Sequence, residues 1–96
     1  MEVKYHPLVR QDVLAAARKY HDISHRLAAE FDTELKATIA QAAKNPLRFH
    51  PVDFGLRRAN LKRFPYHFLY DIHPTFIRVL IVRHHKRHPD FGLDRK

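Results

Sequence analysis

Ninety-six residues make a single domain, 1–96, with room for a modest core, and their 45% apolar content excludes a disordered chain. No apolar run approaches the roughly 20 residues of a membrane span, no signal-peptide pattern opens the chain, and the absence of cysteine excludes disulfides, so a cytoplasmic protein is expected. Eighteen Lys and Arg against ten Asp and Glu leave a formal charge of +8, which asks for an anionic partner, either nucleic acid or an acidic protein.

Glu2-Val3-Lys4-Tyr5 alternates polar and apolar residues and predicts a first strand, ended by His6-Pro7. Val9, Val13, Ala16, Ala17 and Tyr20 recur at helical spacing and predict a helix, with Asp12 adding a favourable negative charge near its start. Asp22 or Ser24 can cap a second helix, in which Ile23, Leu27, Phe31, Leu35, Ile39 and Ala42 form one apolar stripe until Asn45-Pro46 stops it. Leu47 to Gly55 reads as an ordered loop.

Three strands with tight links follow: Arg57 to Lys62, Tyr66 to His73, and Phe76 to His84. In the first, Ala59 and Leu61 point inward and Arg58, Asn60 and Lys62 outward. In the second, Tyr66, Phe68, Tyr70 and Ile72 share the core face, with His67, Leu69, Asp71 and His73 opposite. The third is apolar on both faces at Val79-Leu80-Ile81-Val82, as a central strand should be. The expected fold is α+β: an N-terminal strand, a helical hairpin, then a three-stranded antiparallel meander, with the helices on one sheet face. The other face is expected to be free and to carry Arg58, Lys62 and His67.

Arg83-His84-His85-Lys86-Arg87-His88 follows directly on the last strand, a run of six cationic or protonatable side chains at the rim of a sheet. With Arg58, Lys62 and Arg63 it forms a basic set able to grip a polyanion; arginine offers phosphate a planar fork and lysine a mobile point charge. His67, His84 and His85 are the residues that could act as general acid or base in RNA cleavage. All nine histidines are expected to gain charge as pH falls through about 6. His21 and His25 sit four apart, and His84, His85 and His88 lie close together, but with no cysteine and no H-E-x-x-H pattern neither a metal nor another cofactor is expected. Ser24 is the only serine, so a nucleophilic triad has no support.

The opening Tyr5-His6-Pro7 with Asp12, Ala16 and Tyr20, the central Leu61-Lys62-Arg63-Phe64-Pro65-Tyr66 within Arg58 to Tyr70, and the closing Val82-Arg83-His84 with Arg87 and Pro89 together resemble the RelE/ParE superfamily of bacterial type II toxins. The resemblance spans nearly the whole chain. It implies a small toxin neutralised by a cognate antitoxin that wraps around it, with assembly into a hetero-oligomer or with a second copy left open. Members of the RelE-like branch cleave ribosome-bound mRNA, and members of the ParE-like branch poison DNA gyrase.

Measured against the RelE-like pattern, His67 and His85 stand where arginines belong and Phe91 where a tyrosine belongs, while Lys62 and Arg87 match. The resemblance therefore favours a ParE-like gyrase inhibitor. Ribosome-dependent cleavage through His67, His84, His85 and Arg87 is the alternative, with Arg58, Lys62, Arg63, Arg83, Lys86 and His88 binding the target in either case. A non-catalytic nucleic-acid-binding module or inactive toxin is the third reading.

Overall fold

The computed structural model describes residues 1–96 and has the expected α+β architecture. Strand β1 (Glu2–Tyr5) leads into helices α1 (Val9–His21) and α2 (His25–Lys44), followed by β2 (His50–Pro51), β3 (Arg57–Asn60), β4 (Tyr66–Ile72) and β5 (Phe76–His84). One mixed sheet of five strands has the order β1-β5-β4-β3-β2. β1 runs parallel to β5, with Glu2 opposite Phe76 and Tyr5 opposite Val79; the other neighbours are antiparallel. No helix is long and apolar enough to cross a membrane.

Ser24 caps α2, its hydroxyl accepting the Leu27 N–H at 3.0 Å. Ile23, expected on the apolar stripe, instead lies in the turn before that cap and is 71% exposed. From Phe31 onward the stripe is buried: Phe31, Leu35, Ile39 and Ala42 join Val9 and Ala16 of α1 against Phe68, Tyr70, Ile77 and Val79 of the sheet. Phe31 stands 5.3 Å from the rings of Tyr20, Phe64 and Tyr66 in tilted and edge-on contacts, geometry that adds to simple area burial. Tyr66, Phe68 and Tyr70 are thus core residues, while Ile72, of the same parity, has run past the helices and is exposed.

The first meander strand is shorter than expected, ending at Asn60. The chain there dives under α2 so that Leu61 and Phe64 can enter the core, and the Glu34 carboxylate accepts the backbone N–H groups of Lys62 and Arg63. Lys62 therefore lies beside α2 rather than on the outer sheet face. The segment from Leu47 to Gly55 also holds more order than a loop: two single 3₁₀ turns flank β2, and His50 pairs with Arg58.

The outer sheet face is not free. Opposite Leu69 and Tyr70 the register slips by one residue on β5, so that Val79 and Val82 face the helices while Leu80 and Ile81 both join the outer side. Leu56, Leu69, Leu80 and Ile81 form a second, smaller core, covered by Phe91 and Leu93 of the C-terminal segment. Gly92 makes this cover fit. Its φ is 82°, and a Cβ there would lie 2.7 Å from the Ile81 side chain.

That segment is locked by Asp12, whose role goes well beyond a charge near a helix start. β1 ends at Tyr5, opposite Val79, and leaves the outer edge of β5 without a strand partner beyond that point. The Asp12 carboxylate accepts the Val82 N–H at 3.1 Å, and Arg95 donates to the Leu80 carbonyl at 3.0 Å. Arg95 also forms a two-pronged pair with Asp12, one bond measuring 2.9 Å, and both side chains are at most 7% exposed.

Arg95→Ala strands a buried carboxylate and is expected to cost about 3 kcal/mol in urea unfolding. Gly92→Ala, which adds backbone strain and a clash with Ile81, should cost about 1–3 kcal/mol by the same measurement. A change below about 0.5 kcal/mol in either would refute the locked arrangement.

Candidate functional site

The strand register gathers one set of polar side chains at the end of the outer face. Asn60 of β3 lies opposite His67 of β4, which lies opposite Arg83 of β5. Arg83 donates from Nε to His67 Nε2 at 2.9 Å, and from Nη1 to the carbonyls of Pro89 and Phe91. His67 Nδ1 meets His85 Nδ1 at 2.9 Å, with the two rings stacked. Arg58 closes the chain, 3.3 Å from His85 Nδ1 and bonded to the Asn60 side-chain oxygen at 2.8 Å.

These contacts assign the tautomers. Because Arg83 can only donate, His67 must accept at Nε2 and carry its proton on Nδ1. That proton is given to His85 Nδ1, which leaves the His85 proton on Nε2. His84, at the end of β5, accepts the Lys86 N–H at its own Nδ1 at 3.0 Å, so its free nitrogen is also a donor. Each of the three histidines has its acceptor nitrogen occupied.

Burial sets their charge as well. His67 is 1% exposed, and desolvation, helped by the Arg58 and Arg83 charges and by His85 and His84, holds its pKa down to about 3. His85 is lowered by burial, then by Arg58 and His84, and His84 by burial, then by Lys19 and Lys86. The expectation that all the histidines charge together near pH 6 is therefore corrected for these three: desolvation, strongest at the buried His67, and positive neighbours oppose the proton. Nor is His67 presented on a free face; it is buried, with Arg83 and His85 holding its two ring nitrogens.

The remaining basic residues fall into two groups. Lys86, Arg87 and His88 are exposed on the rim beyond β5, with the Arg87 guanidinium 4.0 Å from the Phe91 ring centre. Lys62 and Arg63 belong to the turn beside α2, where Arg63 pairs with Glu30 at 2.7 Å. The turn and the rim are joined by a backbone hydrogen bond, the His85 N–H donating to the Pro65 carbonyl at 2.8 Å. Asn60 was visible in the sequence only as an outward-pointing residue; its part in the network depends on the register. His21 and His25 stand 4.0 Å apart by ring centres, and no group of three or more His, Asp or Glu is arranged to hold a metal ion.

Comparison with known proteins follows this geometry. The family model described as the ParE toxin of the type II toxin–antitoxin system parDE matches residues 3–89. Among solved structures, a chain of the chromosomal ParDE toxin–antitoxin system from P. aeruginosa superposes with a TM-score of 0.76 at 17% identity, over 88% of this chain and 95% of that one. No curated protein sequence matches.

His67 also yields a pH dependence with a definite sign. Its proton is bound near pH 3 in the folded chain and near pH 6.5 in an unfolded one, so the unfolded state holds more protons in between. The stability it supports is fully present above pH 6.5 and is lost as pH falls toward 3. Its slope approaches about 1.4 kcal/mol per pH unit, with His84 and His85 acting in the same direction. In urea titrations between about pH 6 and pH 4.5, His67→Gln should show a clearly shallower loss than the parent chain. Parallel curves would contradict the buried, neutral His67.

Proposed function

The chain belongs to the ParE toxin family of type II toxin–antitoxin systems, which brings with it an antitoxin partner, and we propose that it arrests growth by inhibiting DNA gyrase. The occupied acceptor nitrogens of His67, His84 and His85 support this reading over RNA cleavage. Cleaving RNA by attack of its own 2′-hydroxyl needs a base with a free lone pair beside that hydroxyl. None of the three offers one, and the lowered pKa of each disfavours the imidazolium that would serve as the acid.

What the geometry leaves available is charge. Lys86 and Arg87 project from the rim without carboxylate partners, on a base made rigid by β5 and the Asp12–Arg95 pair. Such a surface suits an anionic target through steering and ion pairing, which is inhibition by occupancy and not by turnover. The antitoxin would counter it by covering the same chain, and both proposed targets lie in the cytoplasm.

Ribosome-dependent mRNA cleavage is the competing reading, carried by the exposure of His85 and Arg87 on the rim. Purified protein should inhibit gyrase supercoiling and leave no cut sites on mRNA in programmed ribosomes. Charge reversal in Arg87→Glu should weaken inhibition by on the order of tenfold, about 1.4 kcal/mol. Ribosomal cleavage that disappears in His85→Ala or Arg87→Ala would replace gyrase with mRNA as the target. Induction in bacteria should stop growth, and co-expression of the cognate antitoxin should restore it. Soluble protein with no arrest would point instead to a binding module or an inactive toxin.

A further inference from the structure

On the helix side of β5, next to the rim and sharing Arg83 with the histidine network, lies a cleft of about 360 Å³ between α1 and the C-terminal segment. Lys19 of α1 and Arg87 stand at it from opposite sides, and neither has a carboxylate partner. His84 lines it between them. Its Nδ1 is taken by the Lys86 N–H, so the nitrogen left over, Nε2, is a hydrogen-bond donor. The only acidic residue in the lining is Asp12, and its charge is already spent on Arg95 and the Val82 N–H.

Apart from the Gln11 amide and the Tyr66 hydroxyl, which can both donate and accept, the uncommitted polar groups here are donors and cations. Beside them run Ala15 and Ala16, with the Phe91 ring covered by the Arg87 guanidinium at 4.0 Å, and Tyr66 also lines the cleft, its ring 5.0 Å edge-on from His84. The volume falls within the range of small-ligand sites and is too generous for a bare anion. A ligand that satisfies both walls carries a phosphate at one end and a flat apolar body at the other.

We infer that this cleft is a nucleotide-binding site, with Lys19, His84 Nε2–H and Arg87 receiving the phosphate and the base lying against Ala15 and the plane of the Arg87 guanidinium that caps Phe91. The same unit can come from a free nucleotide or from a single strand of nucleic acid. The inference shares Arg87 with the gyrase reading but turns on Lys19 of α1, which that reading does not use, so Lys19→Ala tests it separately.

The test is an NMR titration of the full chain at about 150 mM salt, with thymidine monophosphate, inorganic phosphate and a short oligothymidylate as separate probes. The nucleotide should saturate and shift the amides of Lys19, His84 and Arg87, and it should raise the pH at which the His84 ring titrates, since a bound dianion favours the imidazolium. Both exposed-residue variants, Lys19→Ala and Arg87→Ala, should lose at least fivefold in affinity. Lys4→Ala, whose ammonium sits over Phe76 at the other end of β5, should stay within twofold.

Tighter binding of the oligonucleotide than of the mononucleotide identifies a nucleic-acid strand as the source, and the reverse identifies a free nucleotide. Inorganic phosphate binding as tightly as thymidine monophosphate would remove the base from the proposal and overturn it. Shifts spread over all basic residues, with equal losses in all three variants, would show plain charge attraction and overturn it too.

Discussion

The Asp12 carboxylate stands where helix α1, the open edge of β5 and the last turn of the chain converge, and it is buried in a setting that tolerates a charge only when it is paired. Arg95 meets that demand and in the same gesture takes the Leu80 carbonyl, so two side chains do for the outer edge of β5 what a neighbouring strand does elsewhere. The consequences spread outward from there. The segment carrying Phe91 and Leu93 is held over the second core, Gly92 lets it close on Ile81, and the carbonyls of Pro89 and Phe91 are brought to Arg83.

Charge on the outer end of the sheet is organised by the same enclosure. Arg83 and Arg58 bracket two stacked histidines: buried His67 stays neutral because a proton there would face both guanidinium groups in a dry space, and desolvation followed by the Arg58 charge lowers the pKa of the more exposed His85. Basicity is thereby sorted by depth. The inner residues hold the sheet end in one arrangement, and the outer ones, Lys86 and Arg87, keep their full charge for a partner. A uniform basic surface would lack this division.

Much of the fold was legible because it rests on periodicity and punctuation: the stripe from Phe31 to Ala42, the alternation from Tyr66 to Tyr70, the Ser24 cap and the Asn45-Pro46 stop each state a local preference that the packing obeys. The outer face was misjudged for a reason equally physical. Leu69, Leu80 and Ile81 advertise a second core, but only the one-residue slip in β5 puts adjacent Leu80 and Ile81 on the same side, and no local pattern announces it. The candidate site was half visible. The basic run from Arg83 to His88 is plain in the sequence, whereas the partnership of Asp12 with Arg95, and of His67 with Arg83, joins residues that only the completed sheet makes neighbours.

The parallel pairing of β1 with β5 has a kinetic meaning. The hairpin of β4 and β5 closes over a few residues, but β1 must find its place beside Ile77 from the far end of the chain, and Asp12 must reach a partner 83 residues away. Closing such distant pairs costs chain entropy before any contact repays it. The meander and the α2 stripe are suited to form the folding nucleus, with β1 and the final turn arriving last.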